Sequence, residues 1–203
     1  MIAIIDYGVG NPGSIQNMFH YLGIASHITS SAEEIRAAHK LVLPGVGAFD
    51  AGMKRLHESG LKMILDHEVL ENKKPILGIC LGMQLMTHGS EEGVLPGLMW
   101  IDAKTMKFST DAHPGLRIPH MGWNQMEAKQ DHPLLAGLGE ENKFYFVHSY
   151  FVKVAEESVS VATTLYGTEF TSVFARDNIM GVQFHPEKSH RYGMQVLKNF
   201  ANL

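Results

Sequence analysis

The first eighty residues alternate short apolar runs with segments of helical periodicity. Residues 2–5 form an apolar run, a glycine-rich turn follows, and residues 14–22 carry apolar side chains at helical spacing. In a second cycle, residues 30–34 can cap and open a short helix, and residues 40–43 have the composition of a buried strand. The pattern of residues 50–72 predicts helical structure.

A third predicted strand, residues 75–79, leads through Cys80 into residues 81–86, whose apolar spacing is again helical. Strands and helices that alternate in this way favour a largely parallel sheet with helices on both faces. The first half of the chain therefore predicts an α/β architecture.

The second half of the chain has a different pattern. Beyond about residue 95, shorter segments such as residues 144–147 and 159–164 predict additional, partly antiparallel strands, and residues 193–203 return to helical periodicity. No low-complexity linker separates the halves, so we expect residues 1–203 to form one domain. The expected fold class is α/β: a three-layer sandwich with a mostly parallel, flavodoxin-like central sheet and extra antiparallel strands in the C-terminal half.

Composition and charge limit the classes of partner. A formal net charge of -4 gives no sequence-wide positive field to attract nucleic acid or an anionic membrane. The chain begins without a basic leader, and no stretch approaches the roughly 18 apolar residues of a membrane span. A single cysteine suits a reducing compartment. We therefore expect a soluble, cytoplasmic protein that binds neither nucleic acid nor membrane.

The single cysteine has the setting of a nucleophile. Gly78 and Gly82 flank Cys80 at a predicted strand-to-helix junction, which matches a nucleophile elbow with sulfur in place of oxygen. The positive end of the helix dipole stabilises a thiolate there, and the thiolate is the reactive species. A lone cysteine without context is more often a core residue. The glycines and the preceding strand favour the catalytic interpretation.

His185 and Glu187 are the candidates for the base and for the group that orients it. They end an apolar alternation over residues 181–184, with Pro186 between them. Proline discourages a helix, and in an extended segment side chains two positions apart point to the same side. A carboxylate beside an imidazole fixes its tautomer and supports its positive charge. Any other single histidine is more often a surface or core residue.

Acyl transfer also needs donors for the developing oxyanion. Residues 44–47, Pro-Gly-Val-Gly, follow a predicted strand and can expose backbone N–H groups, because glycine permits close approach and unusual dihedrals. An ordinary loop explains this segment equally well when it is taken alone.

Together these motifs resemble the signatures of the class I, triad-type glutamine amidotransferases. The matching segments occur in family order and span most of the chain: residues 44–49, 78–84 and 181–189. Finer features resemble the glutaminase subunits of imidazole glycerol phosphate synthases, namely residues 6–11, 119–124 and 145–150.

The resemblance implies a mechanism that needs no cofactor or metal. Cys80 would attack the side-chain amide of L-glutamine, His185 would move the proton and Glu187 would orient His185. Ammonia would leave, and water would release glutamate from the thioester. The backbone at Val46 and Leu81 would form the oxyanion hole. The residues implied to bind glutamine are Gly45, Gly47, Gln84, His148, Ser149 and Tyr150.

The resemblance also implies a heterodimer with a barrel-shaped cyclase. The cyclase would receive ammonia through an internal channel and make imidazole glycerol phosphate and an aminoimidazole carboxamide ribonucleotide, in histidine biosynthesis. The partner should control the alignment of residues 44–47, so we expect weak activity from the isolated subunit. The residues implied to face the partner are Asn11, Pro119, Met121 and Trp123. Core packing is the alternative for Met121 and Trp123.

Two segments depart from the histidine-pathway pattern and leave two kinds of partner open. Pro12 and Gly13 follow Asn11 where an apolar residue is usual, and residues 190–194 also differ. A similar branch of glutaminases supplies synthases that amidate an N-acetylated sugar for surface polysaccharide, and the sequence resembles that branch too.

Three other functions have weaker support. Residues 8–13 satisfy the G-x-G-x-x-G dinucleotide-binding pattern, but the strand that ends near Thr29 lacks the acidic residue that would hold a ribose. A non-catalytic binding module is disfavoured by the intact triad. Metal binding through His185 and His190 is disfavoured because one cysteine and this histidine spacing do not provide a ligand set.

Overall fold

The computed structural model describes residues 1–111 and 114–203. Strands and helices alternate through the first half as the sequence predicts. Their bounds are β1 Ile2–Ile5, α1 Pro12–Tyr21, β2 Ser26–Thr29, α2 Ala32–Ala37, β3 Lys40–Leu43, α3 Phe49–Glu58, α4 Leu61–Asp66, β4 Ile76–Ile79 and α5 Leu81–Leu85.

The second half is mostly strands and ends in a helix. The bounds are β5 Ala103–Lys107, β6 His120–Asn124, β7 Glu127–Ala128, β8 Phe144–His148, β9 Tyr150–Val154, β10 Ser160–Tyr166, β11 Thr168–Arg176, β12 Ile179–Val182 and α6 His190–Asn202. The predicted antiparallel strands in this half and the C-terminal helix are confirmed.

The predicted helical structure of residues 50–72 is confirmed, with one break. Gly60 has a left-handed backbone (φ 72°) that separates α3 from α4. Glycine adopts this conformation without steric penalty and commonly ends helices in this way. The segment then finishes in a π-helical turn, His67–Glu71. The predicted cap of α2 is also confirmed, since the Ser31 hydroxyl accepts a hydrogen bond from the Glu34 N–H.

The central sheet has the strand order β2-β1-β3-β4-β12-β11-β10-β7. Its first five strands are parallel neighbours, and this order is the flavodoxin-like one. From β11 onward the pairs are antiparallel, and β9 joins β5 to β11. Strands β6 and β8 form a separate two-stranded ribbon. The predicted fold class is confirmed.

Hydrophobic clusters lie on both faces of the sheet and produce three layers. One cluster packs α2 to α5 against the sheet around Phe49 and Trp100. The other packs α1 and α6 through Phe19 and Phe200, together with the aromatic side chains of β8. Among the helices that the structure describes, none is long and apolar enough to cross a membrane.

Strand β12 lies parallel to β4, although about one hundred residues separate them in the sequence. Val182 pairs with Ile79, and the N–H of Cys80 donates to the Val182 carbonyl at 2.8 Å. The segments that follow these two strands therefore emerge side by side at the carboxyl edge of the sheet. Ligand sites in open α/β sheets occur at this edge.

Candidate active site

Cys80 occupies a tight turn between β4 and α5. Its backbone has φ 53° and ψ -110°, a conformation that is rare and strained for a residue with a side chain. A Cβ atom at Gly78 would lie 2.8 Å from the Met83 nitrogen, and one at Gly82 would overlap the Leu43 carbonyl. The flanking glycines are therefore required because β3, β4 and α5 approach closely here.

His185 and Glu187 make the contact that the sequence predicts, but the local backbone differs from the prediction. Nδ1 of His185 lies 2.8 Å from Oε1 of Glu187, and the two side chains are only 2% and 6% exposed. The prediction of an extended segment was wrong after His185, because Pro186–Lys188 form a 3-10 turn. Proline at the first position of a helical turn is favourable, since its missing N–H has no partner to lose.

Hydrogen bonds to neighbouring elements fix the backbone around His185. Its N–H donates to the Tyr145 carbonyl at 2.9 Å, and its carbonyl accepts from the Ser189 hydroxyl at 2.6 Å. The Ser189 oxygen in turn accepts from the Tyr145 N–H at 3.0 Å. Strand β8 and the start of α6 thus hold the imidazole in place.

The electrostatic environment favours the protonated form of His185. Burial by itself lowers the pKa of the ring, but the neighbouring Cys80 sulfur and Glu187 carboxylate outweigh it and raise the pKa. Nδ1 is engaged by Glu187, and Nε2 has no hydrogen-bond partner among the described residues. The geometry therefore suits a thiolate–imidazolium pair backed by a carboxylate.

An open cleft of about 480 Å³ lies over Cys80 and His185. Seven of the other residues predicted for the site line it: Val46, Gly47, Leu81, Gln84, His148, Ser149 and Tyr150. Pro119, predicted for the partner face, lies at the cleft as well. Ala48 and Val147 also line it; they belong to the matched segments 44–49 and 145–150 but were assigned no role, and Glu92 was not singled out. The structure thus brings most of the predicted residues together.

Gly45 does not line the cleft. It is buried on the inner side of the loop of residues 44–47, where a Cβ would lie 2.8 Å from the Gly82 nitrogen and 2.8 Å from the Tyr7 hydroxyl. Its carbonyl accepts a hydrogen bond from the Leu81 N–H at 3.3 Å. One of the two predicted oxyanion donors is therefore occupied in this conformation, while Val46 is exposed.

Tyr7 anchors the same loop, and the sequence reasoning did not single it out. Its hydroxyl donates to the Pro44 carbonyl at 2.6 Å. Burial, with a smaller contribution from the charge on Cys80, raises the pKa of Tyr7, so the hydroxyl keeps its proton and remains a donor. The position of Tyr7 just after β1, within the motif of residues 6–11, was the available signal.

The residues predicted to face a partner have different environments. Met121 and Trp123 on β6 are 62% and 47% exposed, so the core-packing alternative was wrong for both. Trp123 stacks on His190 with ring centroids 5.3 Å apart. Asn11 is exposed, and its side-chain oxygen accepts from the Ser14 N–H and caps α1.

The glycine-rich segment of residues 8–13 has a packing role. Gly8 and Gly10 have positive φ angles, and a Cβ at Gly10 would lie 3.3 Å from the Gly45 nitrogen. This segment therefore supports the loop of residues 44–47. In the part of the chain that the structure describes, no three histidine, cysteine, aspartate or glutamate side chains converge as metal ligands.

Comparisons with known proteins agree on one family. A family model described as glutamine amidotransferase class-I matches residues 3–203. A relative from Pseudomonas aeruginosa, imidazole glycerol phosphate synthase subunit HisH 2, is 48% identical over 203 residues, which cover 100% of both chains. The protein of the same name from Methanococcus maripaludis is 52% identical over 200 residues, 98% of each chain.

Solved structures share the fold at low sequence identity. A crystal structure of a glutamine amidotransferase matches with a TM-score of 0.75 and 18% identity, covering 100% of both chains. The structure of PurLQS from Thermotoga maritima matches with a TM-score of 0.69 and 16% identity, covering 99% of this chain and 97% of that one.

Proposed function

This chain belongs to the class I glutamine amidotransferase family, and we propose that it hydrolyses L-glutamine with Cys80 as nucleophile, His185 as proton carrier and Glu187 as the orienting carboxylate. One observation carries the proposal. The β4–β12 pairing places the cysteine elbow beside a histidine whose Nδ1 is held by a buried carboxylate, in a shared cleft.

The reaction proceeds through two transfers of an acyl group. The Cys80 thiolate attacks the side-chain carbonyl carbon of glutamine, and protonated His185 donates its proton to the departing nitrogen, which leaves as ammonia. Neutral His185 then takes a proton from water as the oxygen attacks the thioester. Glutamate leaves, and Cys80 returns to the thiolate as His185 regains its charge.

The oxyanion hole requires a rearrangement of residues 44–47. The Leu81 N–H is bonded to the Gly45 carbonyl, so it becomes available to the substrate oxyanion only when that carbonyl turns away. Gly47, at φ 103°, and the exposed Val46 give this loop backbone freedom on its outer side. Removal of one oxyanion donor typically costs about 10²–10³ in kcat, so this conformation has low activity.

The receiving subunit in this proposal is the cyclase of an imidazole glycerol phosphate synthase. The support is that relatives known as subunits of this synthase match along almost their whole length at 48% and 52% identity. Met121 and Trp123 form an exposed apolar surface on β6, and Pro119 connects that strand to the cleft. Ammonia released at Cys80 would pass to the cyclase across this face, in a cytoplasmic heterodimer.

Replacement of the nucleophile tests the hydrolytic step. Cys80→Ala should abolish glutamate production while the circular dichroism spectrum stays native, because the change removes the sulfur without opening a large cavity. Glutamate formation by a folded Cys80→Ala protein, at the wild-type rate, would refute the assignment.

Replacement of an exposed methionine tests the proposed docking face, which is the exposed apolar surface formed by Pro119, Met121 and Trp123. Met121→Ala should weaken binding to the co-purified synthase subunit by about tenfold, because it removes apolar area from the proposed interface. Met63→Ala is the matched control, since Met63 is 77% exposed on α4, away from β6. Equal affinities of the two variants would contradict the placement of the interface.

A second acceptor is supported by one observation. His190, which departs from the histidine-pathway pattern, stacks on Trp123 within the proposed docking face. A synthase that amidates an N-acetylated sugar would meet this altered surface. Incubation of the co-purified complex with glutamine and each acceptor separates the two: an aminated imidazole-pathway product supports the cyclase, and an aminated sugar supports the alternative.

A further inference from the structure

Gln183 contacts the catalytic sulfur although it lies outside the proposed triad. It follows β12 directly and is fully buried, and its N–H donates to the Ser172 carbonyl at 2.9 Å. Its side-chain Nε2 lies 3.7 Å from Sγ of Cys80, within hydrogen-bond distance for sulfur. A fully buried amide adjacent to a nucleophile is costly to retain unless its polar atoms are used.

The neighbouring Gln84 fixes which end of the Gln183 amide faces the sulfur. The Gln84 amide nitrogen donates one hydrogen to the Tyr150 carbonyl at 2.9 Å and the other to Oε1 of Gln183 at 3.0 Å. A carbonyl can only accept, so the nitrogen of Gln84 must be the atom at Tyr150. A flipped Gln183 would oppose two NH₂ groups, so its nitrogen must point to Cys80.

A chain of hydrogen-bond donors holds the Tyr150 carbonyl in turn. Nδ1 of His148 is 2.7 Å from this carbonyl and therefore carries a hydrogen, which leaves Nε2 as an acceptor in the neutral ring. Nδ1 of His120 then donates to that Nε2 at 2.9 Å, and the Asn124 amide donates to Nε2 of His120 at 3.2 Å. Every hydrogen-bond direction from β6 to the sulfur is thereby determined.

We propose that Gln183 is a further residue of the nucleophile's site, whose side-chain amide donates a hydrogen bond that stabilises the Cys80 thiolate. The inference rests on the proposed role of Cys80 as nucleophile. A hydrogen bond to an ionised acceptor is roughly twice as strong as one to a neutral group, so the donor favours thiolate over thiol and over thioester. It therefore supports formation of the nucleophile and departure of the sulfur when water attacks.

Gln183 and His185 act on the sulfur in different ways. His185 gains and loses a proton during the reaction, whereas an amide keeps its hydrogens at every step. Because Gln183 is neutral, it stabilises the thiolate without competing with His185 for Glu187. Its donor also limits the orientation of the sulfur within the strained elbow.

Alkylation of Cys80 by iodoacetamide tests the inference on the full chain, without glutamine. The reagent is neutral and reacts with the thiolate, so the rate against pH has a midpoint that reports the Cys80–His185 pair. Gln183→Met removes the donor and keeps the chain length. Its midpoint should lie about one pH unit higher, with an alkylation rate about tenfold lower below the midpoint.

Gln183→Glu tests whether this side chain acts on the sulfur. It keeps the shape and the oxygen that faces Gln84, but places a carboxylate oxygen where the donor was, so the lost donor and the added negative charge should both raise its midpoint, at least as far as that of Gln183→Met. A role in packing alone predicts that Gln183→Met, which keeps the chain length, leaves the midpoint at the wild-type value. Gln195→Met, a partly buried amide on α6 bonded to Asn199, is the control and should leave the midpoint unchanged.

If either Gln183 variant has a native circular dichroism spectrum and a midpoint within about 0.2 pH units of wild type, the inference is overturned. If neither Gln183 variant folds, Gln84→Met tests the inference instead, because it removes the hydrogen bond that orients the Gln183 amide. A rise in the alkylation midpoint of Gln84→Met supports the inference, and a midpoint equal to that of wild type overturns it. Failure of the proposed function is a separate result. A Cys80→Ala protein that still hydrolyses glutamine refutes the role of Cys80 as nucleophile. The alkylation midpoint would still report whether Gln183 donates a hydrogen bond to the sulfur.

Discussion

Replacement of Glu187 by glutamine removes the charge behind His185 and little else. The two side chains are nearly isosteric, and Oε1 of Glu187 lies 2.8 Å from Nδ1 of His185. The carboxylate side chain is only 6% exposed, so water cannot readily replace its charge. In the variant, the amide can also present its NH₂ to Nδ1 and stabilise the wrong tautomer of the ring.

The size of the effect follows from this burial. A hydrogen bond to a charged group contributes about 1.5–3 kcal/mol, which corresponds to a rate change of about 10- to 150-fold. Unit charges about 4 Å apart at an effective dielectric constant of about 20 attract by about 4 kcal/mol, or about 10³-fold. We therefore expect kcat for glutamine hydrolysis to fall by about 10²–10³ in Glu187→Gln, with KM changed less than about threefold.

The assay is steady-state glutamate release by the complex with the proposed synthase subunit, and the chain provides a matched control. Glu71 contacts His67 through a similar Nδ1–carboxylate pair at 3.0 Å, but those side chains are 71% and 53% exposed. Glu71→Gln should leave kcat unchanged, since exposed pairs contribute little. A Glu187→Gln protein with more than about half of the wild-type kcat would refute the reasoning.

Two further predictions concern stability. Burial lowers the pKa of His120 to about 4, and it is the largest of the effects that lower the pKa of His148 to about 3. Between about pH 6.5 and pH 4 these two histidines therefore bind more protons in the unfolded chain than in the folded protein. The free energy of unfolding should therefore fall as pH drops through this window. In urea titrations at several pH values, the fall should be shallower for His120→Phe than for wild type. Parallel curves of unfolding free energy against pH for the two proteins would contradict this. Gly82→Ala should lower the melting temperature by roughly 3–10 °C because the added Cβ would overlap the Leu43 carbonyl. Gly139→Ala is the control and should leave the melting temperature unchanged, because a Cβ there would meet open space. Equal melting temperatures of the two variants would count against the packing argument.

The parts of the site that depend on local pattern could be predicted from the sequence. Glycines around Cys80 at a strand end indicate an elbow, since tight packing of a turn restricts residue type at fixed offsets. The His185–Glu187 contact was also predicted, although the extended backbone assumed between them was wrong. Two side chains so close in sequence meet in either conformation, which is why the contact survived the error.

Other features depend on which strands become neighbours. The Gln183–Cys80 contact needs the register of β12 on β4, which no single segment encodes. The alternation that pointed to His185 could have suggested Gln183, two residues earlier. The bond from Leu81 to the Gly45 carbonyl likewise arises from the packing of α5 against the loop after β3. The break at Gly60 was visible only as a single glycine within a helical pattern.

The proposed role of Cys80 in a glutamine site is tested most directly by an electrophilic glutamine analogue, such as a chloroketone of the same length. Peptide mapping after reaction with the full chain should find one covalent label per molecule, on Cys80, and excess L-glutamine should suppress it. Labelling of another residue, or labelling of Cys80 that L-glutamine does not reduce, would contradict the account.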